Sequence, residues 1–175
     1  ETIQSLIDAG IRDIGENRVQ EIEQKAPSLQ GNFILHMVGA LQTNKVNKVV
    51  DQVSWVQSVD REKLADKLQG ACAQRGKTLD VLVQVNTSGE TSKSGCAPHE
   101  VESLCEHVRG LSALRLHGLM TIGPLAGGEK ETRGAFSLLR EYSRGCEKLF
   151  CGAPQLSMGM SGDFEWAIEE GATMV

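Results

Sequence analysis

Strand-like apolar runs alternate with amphipathic stretches along the whole sequence. This predicts an α/β protein, and within that class a (β/α)8 TIM barrel, here lacking its first strand and last helix. Three observations carry the prediction. About seven strands alternate with about seven helices. No two strand-like runs are joined by a hairpin turn, so the sheet is parallel with right-handed crossovers. The chain opens on a helix and stops on a strand-like run, so one more strand and one more helix would complete eight βα units. An open doubly wound sheet shares the first two features. No GxGxxG follows the first strand, which weakens a dinucleotide-binding reading. Residues 1–175 are expected to form one domain, truncated at both ends.

The first helix runs from Thr2 to Ala9, with Ile3, Leu6 and Ile7 on one face and Gly10 as its stop. A short strand, Ile11 to Ile14, follows and leaves through Gly15-Glu16-Asn17. Arg18 to Lys25 is helical, and Pro27-Ser28 breaks it. Asn32 to Val38 is an apolar run interrupted only by His36, which suits a strand covered on both faces. Gly39 to Asn44 is its turn, Lys45 to Asp51 the next helix, and Val53 to Val59 the next strand. Asp60 is expected to cap Arg61 to Arg75, whose Leu64, Ala65, Leu68 and Ala71 form an apolar stripe.

Asp80 to Val85 has the strongest strand pattern in the chain. The polar loop from Asn86 to Cys96 is long for a connector, which marks it as functional. Pro98 opens the helix His99 to Arg109. Leu114 to Ile122 is a strand ended by Gly123-Pro124, and Glu129 to Phe150 reads as one long helix. Pro154 to Met158 is a strand, Asp163 to Glu170 a helix capped by Asp163, and Thr173 to Val175 starts another strand.

Composition excludes several classes. Apolar residues make up 40% and charged residues 23%, as in ordinary globular domains. The net charge of −5 argues against general nucleic-acid binding. No apolar run reaches membrane-spanning length, and no secretory signal pattern is present. The five cysteines form no CxxC pair and read as free thiols of a cytoplasmic protein.

In either α/β architecture, ligands bind beyond the carboxyl ends of the strands. Those ends carry Gly15-Glu16-Asn17, His36 to Gly39, Ser58-Val59-Asp60, Asn86-Thr87-Ser88, Met120-Thr121-Ile122 and Ser157 to Ser161. The Leu156–Asp163 stretch passes from strand through small residues into a helix start, an arrangement that offers backbone N–H groups to an anion. Asn17 suits a polar ring substituent or an N-cap equally well. A lone histidine such as His36 inside an apolar strand is more often a satisfied core residue than a ligand. Met120, Met158 and Met160 form a soft wall for a planar ring or ordinary core packing. Lys93 is more readily a loop-ordering partner of Glu90 than a reactive amine. Lys45 and Lys48 are expected on a solvated helix face. No Ser/His/Asp, Cys/His or metal-ligand set stands out among the residues. The chemistry is that of an anion-binding rim with few proton-transfer groups.

Five stretches resemble one known family. Gly15-Glu16-Asn17-Arg18-Val19-Gln20-Glu21 is similar to its GEN-x-x-QE signature. His36 to Lys45 resembles HFIG-x-LQ-x-NK, and Gln84 to Gly95 resembles QVN-x-S-x-E-x-x-K-x-G. Gly118 to Ile122 and Leu156 to Ser161 match GLM-x-I and LSMGMS. The family is that of the pyridoxal 5′-phosphate (PLP) homeostasis proteins, whose barrel is like the N-terminal barrel of alanine racemase. Position 35 is Leu where the family usually has Trp.

The resemblance implies a single-domain barrel that binds PLP to store or deliver it inside the cell, with no catalytic turnover. It implies cofactor contacts from Ser157 and the Met158-Gly159-Met160 backbone near the phosphate, from Asn17 near the ring, and from His36 and Met120 as pocket lining. The family's aldimine lysine stands at the end of a strand that would precede Glu1, so no lysine of this chain takes that role. The expected partners are the small-molecule cofactor and apo PLP enzymes, with no nucleic acid and no membrane, on a monomer. The alternative is a PLP-dependent amino-acid racemase. It needs a proton donor on each face of the ring, and the single tyrosine, Tyr142, lies on a predicted helix. A third reading is an interaction module that binds no cofactor.

Overall fold

The computed structural model describes residues 2–90, 93–124 and 127–175. Six strands form one all-parallel sheet: β1 (Asp13–Glu16), β2 (Ile34–Met37), β3 (Trp55–Val59), β4 (Leu79–Gln84), β5 (Leu114–Met120) and β6 (Gln155–Ser157). Their order in the sheet is their order in the chain. A doubly wound sheet reverses direction at a switch point, and no reversal occurs here. The seventh expected strand contributes a single parallel bridge, Ser157 to Met174.

Seven α-helices follow the same order: α1 (Thr2–Asp8), α2 (Val19–Lys25), α3 (Val46–Val49), α4 (Glu62–Ala73), α5 (Val101–Arg109), α6 (Glu129–Cys146) and α7 (Phe164–Glu169). From α2 to α7 each helix touches the next, so the helices form one continuous layer outside the sheet. The core lies between these layers. Leu35, Met37, Val56, Val81, Val83, Leu116, Leu119 and Leu156 supply the sheet side, and Ile22, Leu64, Leu68, Leu104, Val108, Phe136 and Leu139 the helix side.

The other face of the sheet is concave. Ser157 on β6 donates a hydrogen bond to Gln57 on β3, 2.7 Å away. Two strands separate them, and flat spacing would hold their backbones about 14 Å apart. The sheet must curl for those side chains to meet, which makes it a half-barrel. Leu82 and Met120 are 0% and 2% exposed, yet neither belongs to the cluster between sheet and helices. They are buried on the concave side.

Several boundaries differ from expectation for local reasons. β1 begins at Asp13 rather than Ile11, because the α1 stop extends further: Ile11 N–H donates to Leu6 O across Gly10. Glu16 therefore falls inside the strand, where it is 7% exposed and accepts from Lys25 at 2.8 Å. Asp60 does not cap α4. The N-cap is Arg61, extended and without a side-chain cap bond, while Asp60 pairs with the Arg61 guanidinium. The long helix ends at Cys146 and tightens into a 3₁₀ turn over Glu147–Leu149. Among the described residues, no helix is long and apolar enough to cross a membrane.

Candidate functional site

A cavity of about 380 Å³ opens on the concave face between β1 and residues 173–175. Gly15, His36, Gln57, Ser157, Gly159 and Met174 are among the residues lining it. A shallower depression lined by Asn17, Met160, Ser161 and Phe164 adjoins it. The two share Gly15, Val38, Gly159 and Val175, so they are the inner and outer parts of one mouth at the carboxyl ends of the strands.

Register explains which side chains face inward. In the parallel ladder Gly15 lies opposite His36, and His36 opposite Trp55. Side chains in register share a face. Two residues along β3 from Trp55, Gln57 points the same way. On the far side Met120 pairs with Ser157.

His36 is 3% exposed and its ring stacks on Trp55, with centroids 5.4 Å apart. Its Nε2 lies 3.1 Å from Asp13 Oδ1, and its Nδ1 lies 2.9 Å from Gln57 Nε2. A carboxylate only accepts, so neutral His36 carries its proton on Nε2. Nδ1 then accepts from the Gln57 amide. The Gln57 carbonyl is left facing Ser157, whose hydroxyl proton it receives. Burial pulls the His36 pKa below the ordinary value, more than Asp13 and Asp80 raise it, so the imidazole is neutral at neutral pH. The same stack continues through Trp55 to His117, 4.8 Å away, which shares Asp80 with Arg115.

The Leu156–Asp163 turn is built differently from a simple amide cradle. Met158 N–H donates to Met174 O. Met160 N–H donates to the Asp163 carboxylate at 2.6 Å, so Asp163 reaches back into the turn rather than forward into α7. Among the described residues, the amides of Gly159, Ser161 and Gly162 are the ones in this turn without an intramolecular partner. Gly159 has a φ of +101°, and a Cβ there would lie 2.6 Å from Ala167 Cβ. Only glycine fits both the backbone and the space. Gly39 has a parallel role: a Cβ would lie 2.1 Å from Asn17 O, so the β2 exit can lie against the turn after β1.

The sequence candidates thus separate. His36, Ser157 and Gly159 line the inner cavity, and Asn17, Gly159 and Met160 the outer rim. Met120 is buried on the concave face in the Ser157 layer, outside both sets of lining residues. The Met158 side chain turns into the core against the helices, because it follows Ser157 by one residue on a two-residue period. It is no wall of the mouth. Lys93 pairs with Glu90 at 3.6 Å and also donates to Gly123 O, tying the long loop to the exit of β5. Lys48 is exposed and Lys45 half-buried, both away from the lining. Gln57, Trp55 and Asp13 are the residues that sequence reasoning missed. The Trp55-x-Gln57 spacing in a strand, one aromatic and one polar group on a single face, was the available signal.

This geometry fits a phosphorylated planar ligand. Two of the residues with unpartnered amides, Gly159 and Ser161, line the mouth, and Gly159 packs against α7 where a Cβ would not fit. Gln84, at the same layer as Ser157, is 3% exposed with an unpartnered Oε1.

Comparisons with known proteins agree. The model of the family "Alanine racemase, N-terminal domain" matches residues 1–175. The pyridoxal phosphate homeostasis protein of Pseudomonas aeruginosa is 44% identical over 168 residues, 95% of this chain and 72% of that protein. Its counterpart from Aquifex aeolicus is 40% identical over 177 residues, covering 100% of this chain and 78% of that protein. PipY of Synechococcus elongatus PCC7942, solved with PLP bound, superposes with a TM-score of 0.90 at 31% identity, over 99% of this chain and 82% of its own. With its motifs in order, a half-barrel of the alanine racemase N-terminal type and relatives matched over nearly its whole length, the chain belongs to the family of pyridoxal phosphate homeostasis proteins.

Proposed function

We propose that this protein binds PLP at the strand mouth and serves intracellular PLP homeostasis in the cytoplasm, holding or delivering the cofactor without turning over a substrate. The observation that carries this reading is the contiguity of the inner cavity with the outer rim, where Gly159 and Ser161 have free amides. Those amides would hold the phosphate, and the inner cavity would take the ring, with Asn17 and Met160 at the rim. PLP supplies an aldehyde and an electron-withdrawing ring, and the protein's part is position and electrostatics. The few proton-transfer groups favour a carrier. His36 is held neutral and committed to Asp13 and Gln57. Tyr142 lies on α6, in the helix layer and outside the cavity lining.

We also infer that the fold is part of a closed barrel. Sequential strand order, the cross-sheet Gln57–Ser157 contact and the cavity between β1 and residues 173–175 all suit an arc of a (β/α)8 barrel whose closing strand would lie in that opening. The protein is proposed to act as a monomer whose partners are PLP and apo PLP enzymes.

Equilibrium dialysis against PLP, pyridoxal and inorganic phosphate tests the reading. PLP is expected to bind at least about tenfold more tightly than pyridoxal, since charge-assisted bonds to phosphate are worth about 1.5–3 kcal/mol. Inorganic phosphate is expected to compete. Equal affinity for PLP and pyridoxal would remove the phosphate from the argument. With PLP and one enantiomer of alanine, optical rotation is expected to stay constant, and sustained loss of rotation would favour the racemase.

A further inference from the structure

Asp13, His36, Gln57 and Ser157 form one hydrogen-bond chain across the concave face, running from β1 through β2 and β3 to β6. Its steps are 3.1, 2.9 and 2.7 Å. His36 and Gln57 are both buried. Proton count fixes the direction of the chain. Neutral His36 holds its proton on Nε2 toward Asp13, so Nδ1 accepts from Gln57 Nε2 and the Gln57 carbonyl accepts from Ser157. A second proton can enter His36 only at Nδ1. Two donors would then face each other across 2.9 Å. A half-turn of the Gln57 amide removes the conflict, because its oxygen and nitrogen exchange places within nearly the same volume. The turn gives up only the weak contact from Gln57 Nε2 to Met174 Sδ, at 3.7 Å. The turned nitrogen donates to Ser157 Oγ, and the hydroxyl proton of Ser157 is released. Ser157 lines the inner cavity, so that proton is free to turn toward it.

We propose that this chain is a proton-driven switch: protonation of His36 reverses the Gln57 amide, and Ser157 changes from a hydroxyl that only accepts into one that donates to the cavity. His36 and Gln57 act through Ser157 as positioning residues. The groups that set the proton on His36 come from several strands. Asp13 on β1 and Asp80 on β4 favour it, and burial opposes it more strongly. Asp80 is shared with Arg115 and His117 on β5, and His117 packs against Trp55 of β3, on which His36 stacks. The switch therefore turns below pH 6.5, the ordinary histidine value. Its consequence for a ligand rests on the reading of the mouth as an anion site. An anion only accepts, so it favours the state in which Ser157 donates, and by linkage it raises the His36 pKa.

The test is NMR of the wild-type protein labelled with ¹⁵N and ¹³C, titrated from about pH 8 to about pH 4.5. The Gln57 side-chain amide is expected to shift with the same midpoint as His36. Above the midpoint a coupling is expected across the hydrogen bond from Gln57 Nε2 to His36 Nδ1. Below it, the coupling is expected from His36 Nδ1 to the Gln57 side-chain carbonyl carbon. Gln57 resonances that stay fixed through the His36 titration overturn the proposal, and so does a His36 that stays neutral throughout. A second series adds sulfate, whose charge is constant over this range. Saturating sulfate is expected to raise the His36 pKa in wild type by at least about 0.5 unit more than in Ser157→Ala, about threefold in protonation constant. The variant meets the same anion charge without the hydroxyl, so an equal rise in both proteins overturns the step through Ser157. Sulfate that fails to bind the wild-type protein overturns the anion reading of the mouth and leaves the switch to be decided by the first series.

Discussion

Replacing Gly159 with alanine tests the construction of the mouth at its tightest point. Two costs add. The φ of +101° is a conformation that a residue with a Cβ adopts at a cost of about 1–2 kcal/mol. The new Cβ would also lie 2.6 Å from Ala167 Cβ and 3.2 Å from Phe164 Cα, against about 3.5–4.0 Å for carbon atoms in comfortable contact. Ala167 is 0% exposed and sits on α7 facing the core, so it has nowhere to retreat. Overpacking of this kind costs about 1–3 kcal/mol. Together the loss is about 2–5 kcal/mol, a large share of the stability of a single domain. With a urea m-value of about 2–2.5 kcal/mol/M, the unfolding midpoint is expected to fall by about 0.8–2.5 M. Gly162→Ala is the control. Its φ is not positive, and a Cβ there meets nothing within 4 Å. It is expected to move the midpoint by no more than about 0.3 M. Equal midpoints for Gly159→Ala and wild type, by circular dichroism in urea, would refute the packing argument.

Two further predictions concern titration and thiol chemistry. His36 has a depressed folded pKa, so above the unfolded value of 6.5 its neutral state carries no cost, and stability is lost as pH falls from there through the folded value. The groups facing it are Asp13 from β1, Asp80 from β4 and, across Trp55, His117 from β5. Denaturation series at several pH values are expected to show stability rising with pH across that window, by at most about 1.4 kcal/mol per unit from this one proton, and His36→Phe is expected to flatten that part of the slope. Burial also raises the thiols. Cys96 is pushed up to about 12, and Cys72, Cys105 and Cys146 move the same way, whereas Cys151 is half-buried. At pH 8 about one Cys96 in ten thousand is a thiolate. Iodoacetamide labelling followed by mass spectrometry is expected to modify Cys151 first in the native protein and all five cysteines after unfolding. Rapid native labelling of Cys105 would contradict the burial argument.

Much of this architecture was legible because its causes are local. The alternation of strand and helix patterns is written in side-chain periodicity, and a parallel sheet follows from the lack of hairpins. Even the concave face had a trace in the sequence: His36 breaks an apolar run, and Trp55 and Gln57 occupy alternate positions of the next strand. The site was harder to read because its working contacts are not local. Gln57 and Ser157 are 100 residues apart, and only a curled sheet brings them within 2.7 Å. Asp13 stood within the expected Ile11–Ile14 strand, but nothing in Ile11-Arg12-Asp13-Ile14 shows that the helix stop consumes the first two positions and leaves Asp13 to open the strand. The motif around Ser157 was visible, but its polarity was not. A string of letters cannot show that Asp163 reaches back to the Met160 amide, or that the Ser157 proton is already committed. Both facts depend on which acceptor lies nearest in space. They change the chemistry of the stretch from a uniform phosphate cradle into a donor turn beside an acceptor hydroxyl.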